Sequence, residues 1–233
     1  MKQIVSISQS NYIPWKGYFD MIAKSDIFIL YDEMQYTRRD WRNRNRIKTK
    51  DGLIWLTVPV NSKGNYSAKI SEIKINGTDW QKKHWRILEN NYKKSPFYEE
   101  IKNLIYPLYS GKDFQSLSDL NEKFIQKICE YLGIRTLIMK SSDLEIRGNP
   151  SEKLLNICKQ LKTKNYLSGP AAKDYLEVDL FRQEGISVEW MNYNDYPTYS
   201  QDFGEFVGEV TVLDLLFNVG PNSSKYMKFG CEG

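Results

Sequence analysis

Histidine is nearly missing from this sequence: His84 is the only one in 233 residues. Its isolation excludes metal centres built from histidine alone and leaves imidazole chemistry to a single position. Cysteine is scarce as well. Cys129, Cys158 and Cys231 are odd in number and widely spaced, which fits neither a zinc ribbon nor a disulfide framework and suits a reducing compartment. No apolar run approaches a membrane span, and residues 1–10 lack a charged leader followed by an apolar block. The expected location is the cytoplasm, with any membrane role peripheral. An excess of charge of one sign is absent too, since 33 basic residues face 29 acidic ones. A net +4 is too even for nucleic acid held by bulk charge.

Aromatic residues, by contrast, are plentiful. Sixteen tyrosines and six tryptophans in so polar a chain imply that many sit half-exposed, as they do around ligand clefts. With no repeat, linker or low-complexity tract, residues 1–233 read as one α/β domain in which 78–132 form a helical lobe.

The stretch 3–48 organises the rest. A β-branched strand (4–7) passes through a polar, proline-bearing turn (8–14) into an amphipathic helix (15–24) and a second apolar strand (27–30). This is the opening of a parallel sheet, whose strand carboxyl ends and helix amino termini share an anion-attracting edge. Strands are expected at 53–60 and 70–75, pairing as an edge hairpin, then helices at 79–93, 97–109 and 116–132. From 136 the alternation returns: strand 136–139, helix 150–161, strand 166–167, a short helix ended by Gly185, strand 186–191, a tyrosine-rich loop 193–206 and helix 211–219. The expected fold is therefore α/β, a parallel Rossmann-like sheet with helices on both faces and an inserted helical lobe.

Arg38, Arg39, Arg42, Arg44 and Arg46 fall within nine residues, interleaved with Asp40, Trp41, Asn43 and Asn45. Guanidinium forks with neutral amides suit a diphosphate or triphosphate; a solvated hairpin is the plainer reading. On an extended chain Arg38, Arg42, Arg44 and Arg46 share a face and repel unless an anion sits among them. Gln9, Asn11 and Tyr12 crowd the first turn, and Trp15, Lys16 and Gly17 open its helix. Lys16 at a helix amino terminus is electrostatically misplaced without an anion, and Gly17 permits close approach, although Trp15 could equally pack in the core. Asp32 and Glu33 end the second strand, where two acids can hold Mg²⁺ or a ribose hydroxyl, or begin a turn. Ser168, Gly169 and Lys173 occupy a second strand-to-helix turn that can receive phosphate; with no G-x-S-x-G elbow, Ser168 is a poor nucleophile candidate. His84 is a candidate base, against the commoner structural role of a lone histidine on an apolar stripe. No metal site is indicated.

The strings SISQSNYIPWKGYFDMIAKSDIFILYDEMQYTRRDWRNRNRIK, WLTVPV, KKHW, YLSGPAAKDYL and VLDLLFNVG, in this order, resemble the WbqC-like family of bacterial proteins over nearly the whole chain. Ser10 stands where that pattern has proline, while Gln9, Tyr12, Pro14, Trp15 and Gly17 are in place. The resemblance implies surface polysaccharide (O-antigen) biosynthesis, with transfer of glycine or another aminoacyl group to an amino sugar. A fainter similarity links the chain to the HIGH-type nucleotidyltransferase and pantothenate synthetase group, with Trp15-Lys16-Gly17-Tyr18 in place of His-x-Gly-His. Both histidines are absent, so only the nucleotide-binding architecture carries over.

The function expected is aminoacyl transfer or ATP-dependent amide formation on a nucleotide-linked amino sugar. Lys16, Arg42, Arg44 and Arg46 would supply positive charge, and His84 or Asp32 would take the proton of the attacking amine. ATP with Mg²⁺ is the co-substrate this reading admits; no tightly bound cofactor is indicated. The partner is a nucleotide or sugar nucleotide. A nucleotidyltransferase, or a non-catalytic protein that binds a sugar nucleotide or nucleic acid, are the alternatives.

Overall fold

A computed structural model describes residues 3–64, 67–111 and 113–229. Cys231 lies outside them. In chain order the elements are β1 (Ile4–Ser8), α1 (Lys16–Ala23), β2 (Ile27–Leu30), β3 (Arg44–Thr49), β4 (Gly52–Thr57), β5 (Val60–Asn61), β6 (Lys74–Ile75), α2 (Asp79–Tyr92), α3 (Tyr98–Ser110) and α4 (Leu117–Leu132). There follow β7 (Leu137–Lys140), α5 (Pro150–Gln160), β8 (Asn165–Ser168), α6 (Val178–Gln183), β9 (Ser187–Trp190) and α7 (Val212–Val219).

Five strands form one sheet in the order β7-β2-β1-β8-β9, every pair parallel. Counted by appearance along the chain, this is the Rossmann half-order 3-2-1-4-5. The order reverses between β1 and β8. At such a reversal the connections leave in opposite directions, opening a crevice outside the strand carboxyl ends.

Strand alternation divides the core. Val5 and Ile7 of β1 and Ile27 and Ile29 of β2 face a cluster built with Leu154, Leu155 and Ile157 of α5 and Phe181 of α6. Phe28 and Leu30 face the opposite cluster, which gathers Phe19 and Ile22 of α1, Leu88 of α2, Ile101 of α3, Phe124 and Ile128 of α4, and Leu216 of α7. Each such fully buried side chain contributes about 1.5–3 kcal/mol. Helices therefore cover both faces, as the alternation of strand and helix signals requires.

The expected edge hairpin needs correction. Residues 52–57 pair with β3 across a two-residue turn, in register Arg46↔Trp55 and Thr49↔Gly52, as a ribbon separate from the sheet. Gly52 takes φ +101°, which closes this turn without side-chain strain. Only Val60–Asn61 meets Lys74–Ile75, and Ile70–Glu72 is a 3₁₀ turn rather than strand. Ser116 caps α4, accepting from the Asp119 N–H at 3.4 Å, and Gly133, with φ +71°, ends that helix.

Candidate functional site

The turn from β1 to α1 is strained and fixed from several sides. Ile13, β-branched and buried, has φ +38°, a conformation that costs about 1–3 kcal/mol outside glycine. Asn45 on β3 offsets it: its Nδ2 donates to Tyr12 O at 3.2 Å and Ile13 O at 2.8 Å, while its Oδ1 accepts from Arg46 N at 2.8 Å. Tyr12 N donates to Trp41 O at 3.0 Å, and Val212 N to Pro14 O at 2.8 Å. The arginine-bearing ribbon thus clamps this turn through its amides.

Two cavities flank the turn. A crevice of about 330 Å³ lies at the strand-order reversal, lined by Ser8, Gln9 and Asn11 after β1, by Tyr166, Ser168 and Gly169 at β8, and by Tyr31, Tyr175 and Arg42. A chamber of about 590 Å³ lies beside it, lined by Lys16, Trp41, Asn45, Tyr196, Phe206 and Glu209 among others. Asn11, Trp15 and Tyr193 border both. Trp15 is held edge-on by Tyr193 and Tyr196, with ring centroids 5.1 and 5.7 Å away.

The long irregular segment after β9 walls the chamber, and charged side chains of α1 and β3 hold it. Lys16 Nζ donates to Pro197 O and Tyr226 O, both at 3.0 Å, and lies 4.7 Å from the Tyr196 ring and 5.5 Å from the Tyr199 ring. Burial lowers its pKa to about 8, with Asp20 pulling the other way. Asp20 accepts from Tyr196 Oη at 2.5 Å and Phe229 N at 3.1 Å. Lys48 Nζ donates to Gly204 O and Glu205 O. Lys16 therefore has carbonyl and π partners at the helix start, where the sequence argument demanded an anion.

The other sequence candidates divide by place. Gln9, Asn11, Trp15, Arg42, Ser168 and Gly169 line the crevice. Arg42 is engaged by Asn11 Oδ1 at 2.5 Å and Asp40 Oδ2 at 3.4 Å, and its Nε has no hydrogen-bond partner among the described residues. Arg44 and Arg46 line neither cavity. Arg44 stacks 4.0 Å from the Trp55 ring and donates to Arg39 O, whereas Arg46 lies 5.5 Å from the Trp41 ring and pairs with Glu209 at 3.0 Å. Aromatic faces and carboxylates lie between these like charges; Arg38 and Arg42 precede the strand. Lys173 sits 5.7 Å from the Trp190 ring.

Several candidates have structural partners. Asp32 accepts from Ser10 N at 2.8 Å and from Ser118 Oγ. Glu33 accepts from Lys69 Nζ at 2.6 Å and Ser71 Oγ at 3.1 Å. With their oxygens so engaged, Asp32 and Glu33 do not fit a Mg²⁺ ligand pair. Asn43 Nδ2 donates to Val58 O at 2.8 Å. Gly17 has its own reason: a Cβ there would lie 2.4 Å from the Trp15 ring.

Tyr12 and His84 belong to a buried polar chain. Tyr12 Oη lies 2.9 Å from His84 Nδ1 and 2.7 Å from Tyr109 Oη. Burial pushes the imidazole down to about 4 against a hydrogen bond with the Thr57 backbone, so it is neutral at pH 7. The unfolded chain takes up a proton below pH 6.5 that the folded imidazole refuses until about pH 4. Stability should therefore fall by up to about 3 kcal/mol as pH drops through that window. Urea unfolding of wild type and His84→Gln at several pH values checks this; an equally steep loss in the variant refutes the assignment.

Tyr31, Tyr166, Tyr175, Tyr193, Tyr196 and Phe206 were not singled out by motif reasoning, although the aromatic excess and the tyrosine-rich loop were the available signals. Together these features define an α/β protein of Rossmann strand order with paired cavities at its reversal point. The chain belongs to the WbqC-like protein family, whose sequence model matches residues 9–226. It is 48% identical over 225 residues to the uncharacterised protein Rv1507c of Mycobacterium tuberculosis (strain ATCC 25618 / H37Rv), covering 97% of each chain. No solved structure matches. No helix among the described residues is long and apolar enough to cross a membrane.

Proposed function

We propose that this protein is a transferase of surface polysaccharide biosynthesis that passes an aminoacyl group, glycine being the simplest, to the amine of a nucleotide-linked amino sugar. Family membership supports the polysaccharide setting. The observation that carries the chemistry is the common partition of Asn11, Trp15 and Tyr193 between crevice and chamber. A two-substrate transfer needs two adjoining spaces in which the reacting groups meet. The crevice suits the nucleotide: tyrosine faces for base and ribose, and the Arg42 guanidinium for phosphate.

Transfer requires a deprotonated amine and donors aimed at the acyl oxygen. Asn11 stands at the junction, and its amide N–H groups donate to none of the described residues.

Thermal unfolding with ATP, uridine diphosphate and uridine diphosphate glucosamine tests this reading. The sugar nucleotide should raise Tm, by the equivalent of about 2.7 kcal/mol at one hundred times Kd, and Arg42→Ala should remove most of the rise. A response to ATP alone would favour the amide-forming route, and no response to any of the three would contradict the proposal. A second reading, a sugar-nucleotide carrier without catalysis, draws on the structural engagement of both His84 and Asp32. Binding without turnover when an aminoacyl donor is supplied would establish it.

A further inference from the structure

Lys16 holds the irregular segment with only part of its bonding capacity. An ammonium carries three N–H donors, and the two carbonyls of Pro197 and Tyr226 use two. The residue is 4% exposed, yet it borders the chamber. No carboxylate among the described residues forms an ion pair with it. Asp20, one turn along α1, directs its oxygens to Tyr196 and Phe229 instead. Carbonyls and the faces of Tyr196, Tyr199 and Phe206 therefore stabilise a buried cation without neutralising it.

Such a site favours an incoming anion that can take the third N–H. The space is of the size that encloses a small organic molecule, and Trp15, Trp41 and Phe206 offer apolar surface to the remainder. A cationic ligand would meet Lys16 head-on. Glu209 at the wall pairs with Arg46 through Oε2 and leaves Oε1 for an amine on the same ligand.

We propose that the chamber is a subsite for a small carboxylate, α-amino acids included, bound through the third N–H of Lys16. This deepens the transferase reading by placing its acyl component in the chamber against Lys16, and it rests on that reading for any catalytic meaning. As a binding site it stands on the chamber alone.

Tryptophan fluorescence titration of the full chain with benzoate, N-acetylglycine and glycine is the test, with benzamide as the uncharged isostere of benzoate. Benzoate, N-acetylglycine and glycine should each quench saturably with Kd about 1 mM, and benzamide should bind at least about 10-fold more weakly. Lys16→Met should abolish the response. Trp41→Ala, which leaves the Lys16 tether untouched, should weaken it about 10-fold. Equal affinity for benzoate and benzamide, retained binding in a folded Lys16→Met, or no saturation by any carboxylate up to about 10 mM would overturn the proposal. Failure here with a persisting Tm response to uridine diphosphate glucosamine would remove the subsite alone. Carboxylate binding without that response would remove the sugar-nucleotide reading and leave the subsite.

Discussion

Asp214→Ala should destabilise the protein by about 3–5 kcal/mol and lower Tm by roughly 10–15 °C. Asp214 is 1% exposed on α7 and accepts from Tyr92 Oη at 2.8 Å, Tyr199 Oη at 2.8 Å and Gln201 Nε2 at 2.7 Å. Burial raises its pKa, while those three donors and Lys48 oppose the rise. Truncation removes the acceptor of two tyrosine hydroxyls and one of the two acceptors of Gln201 Nε2, which keeps Val207 O at 3.1 Å, and each loss carries its own desolvation penalty. The loss should also reach the chamber, because Tyr199 and Gln201 belong to the segment that walls it. Asp214→Asn keeps one acceptor oxygen and should cost less than half as much. Guanidinium unfolding of the two variants decides the matter: equal, small losses would show that the carboxylate is not the hub of this network.

Gly17→Ala should weaken binding in both cavities at once. The added methyl would lie 2.4–2.8 Å from three atoms of the Trp15 indole, closer than carbon atoms approach, so the ring must move. Trp15 borders both cavities, and its displacement should weaken ligand binding in the crevice and in the chamber by at least about 10-fold each. Stability should change little. Alanine is the better helix former by about 1 kcal/mol, which offsets part of the repacking. Parallel titrations with uridine diphosphate glucosamine and benzoate, beside a melting curve, separate the two effects. Unchanged affinity at both sites would mean that the indole does not shape either wall.

The parallel sheet was legible because buried strands such as Ile27–Leu30 leave an apolar run, and β1, β7 and β8 each lead to a helix before the next strand of the sheet. The ribbon β3–β4 was not. Its first strand reads RNRIKT, and the inward positions include Asn45, whose burial depends on carbonyls of a turn 32 residues earlier. Hydrophobic period cannot register a residue buried through hydrogen bonds.

The site was half legible for a related reason. Gln9, Asn11, Trp15 and Arg42 were found as members of a turn and a cluster, but polar residues in a turn point either way. Asn11 turned to the cavities; Tyr12, the next residue, turned inward to His84. The tyrosines at 31, 166 and 175 come from three separate segments, and only the strand order brings them to one edge.

We propose that ligand enters at the strand-order reversal, and hydrogen exchange with and without saturating uridine diphosphate glucosamine measures this directly. Slowed exchange concentrated in residues 9–15 and 168–172, with α3 and the β3–β4 turn unchanged, is the predicted map. Binding that protects some other surface and leaves both of those turns at their free rates would contradict it.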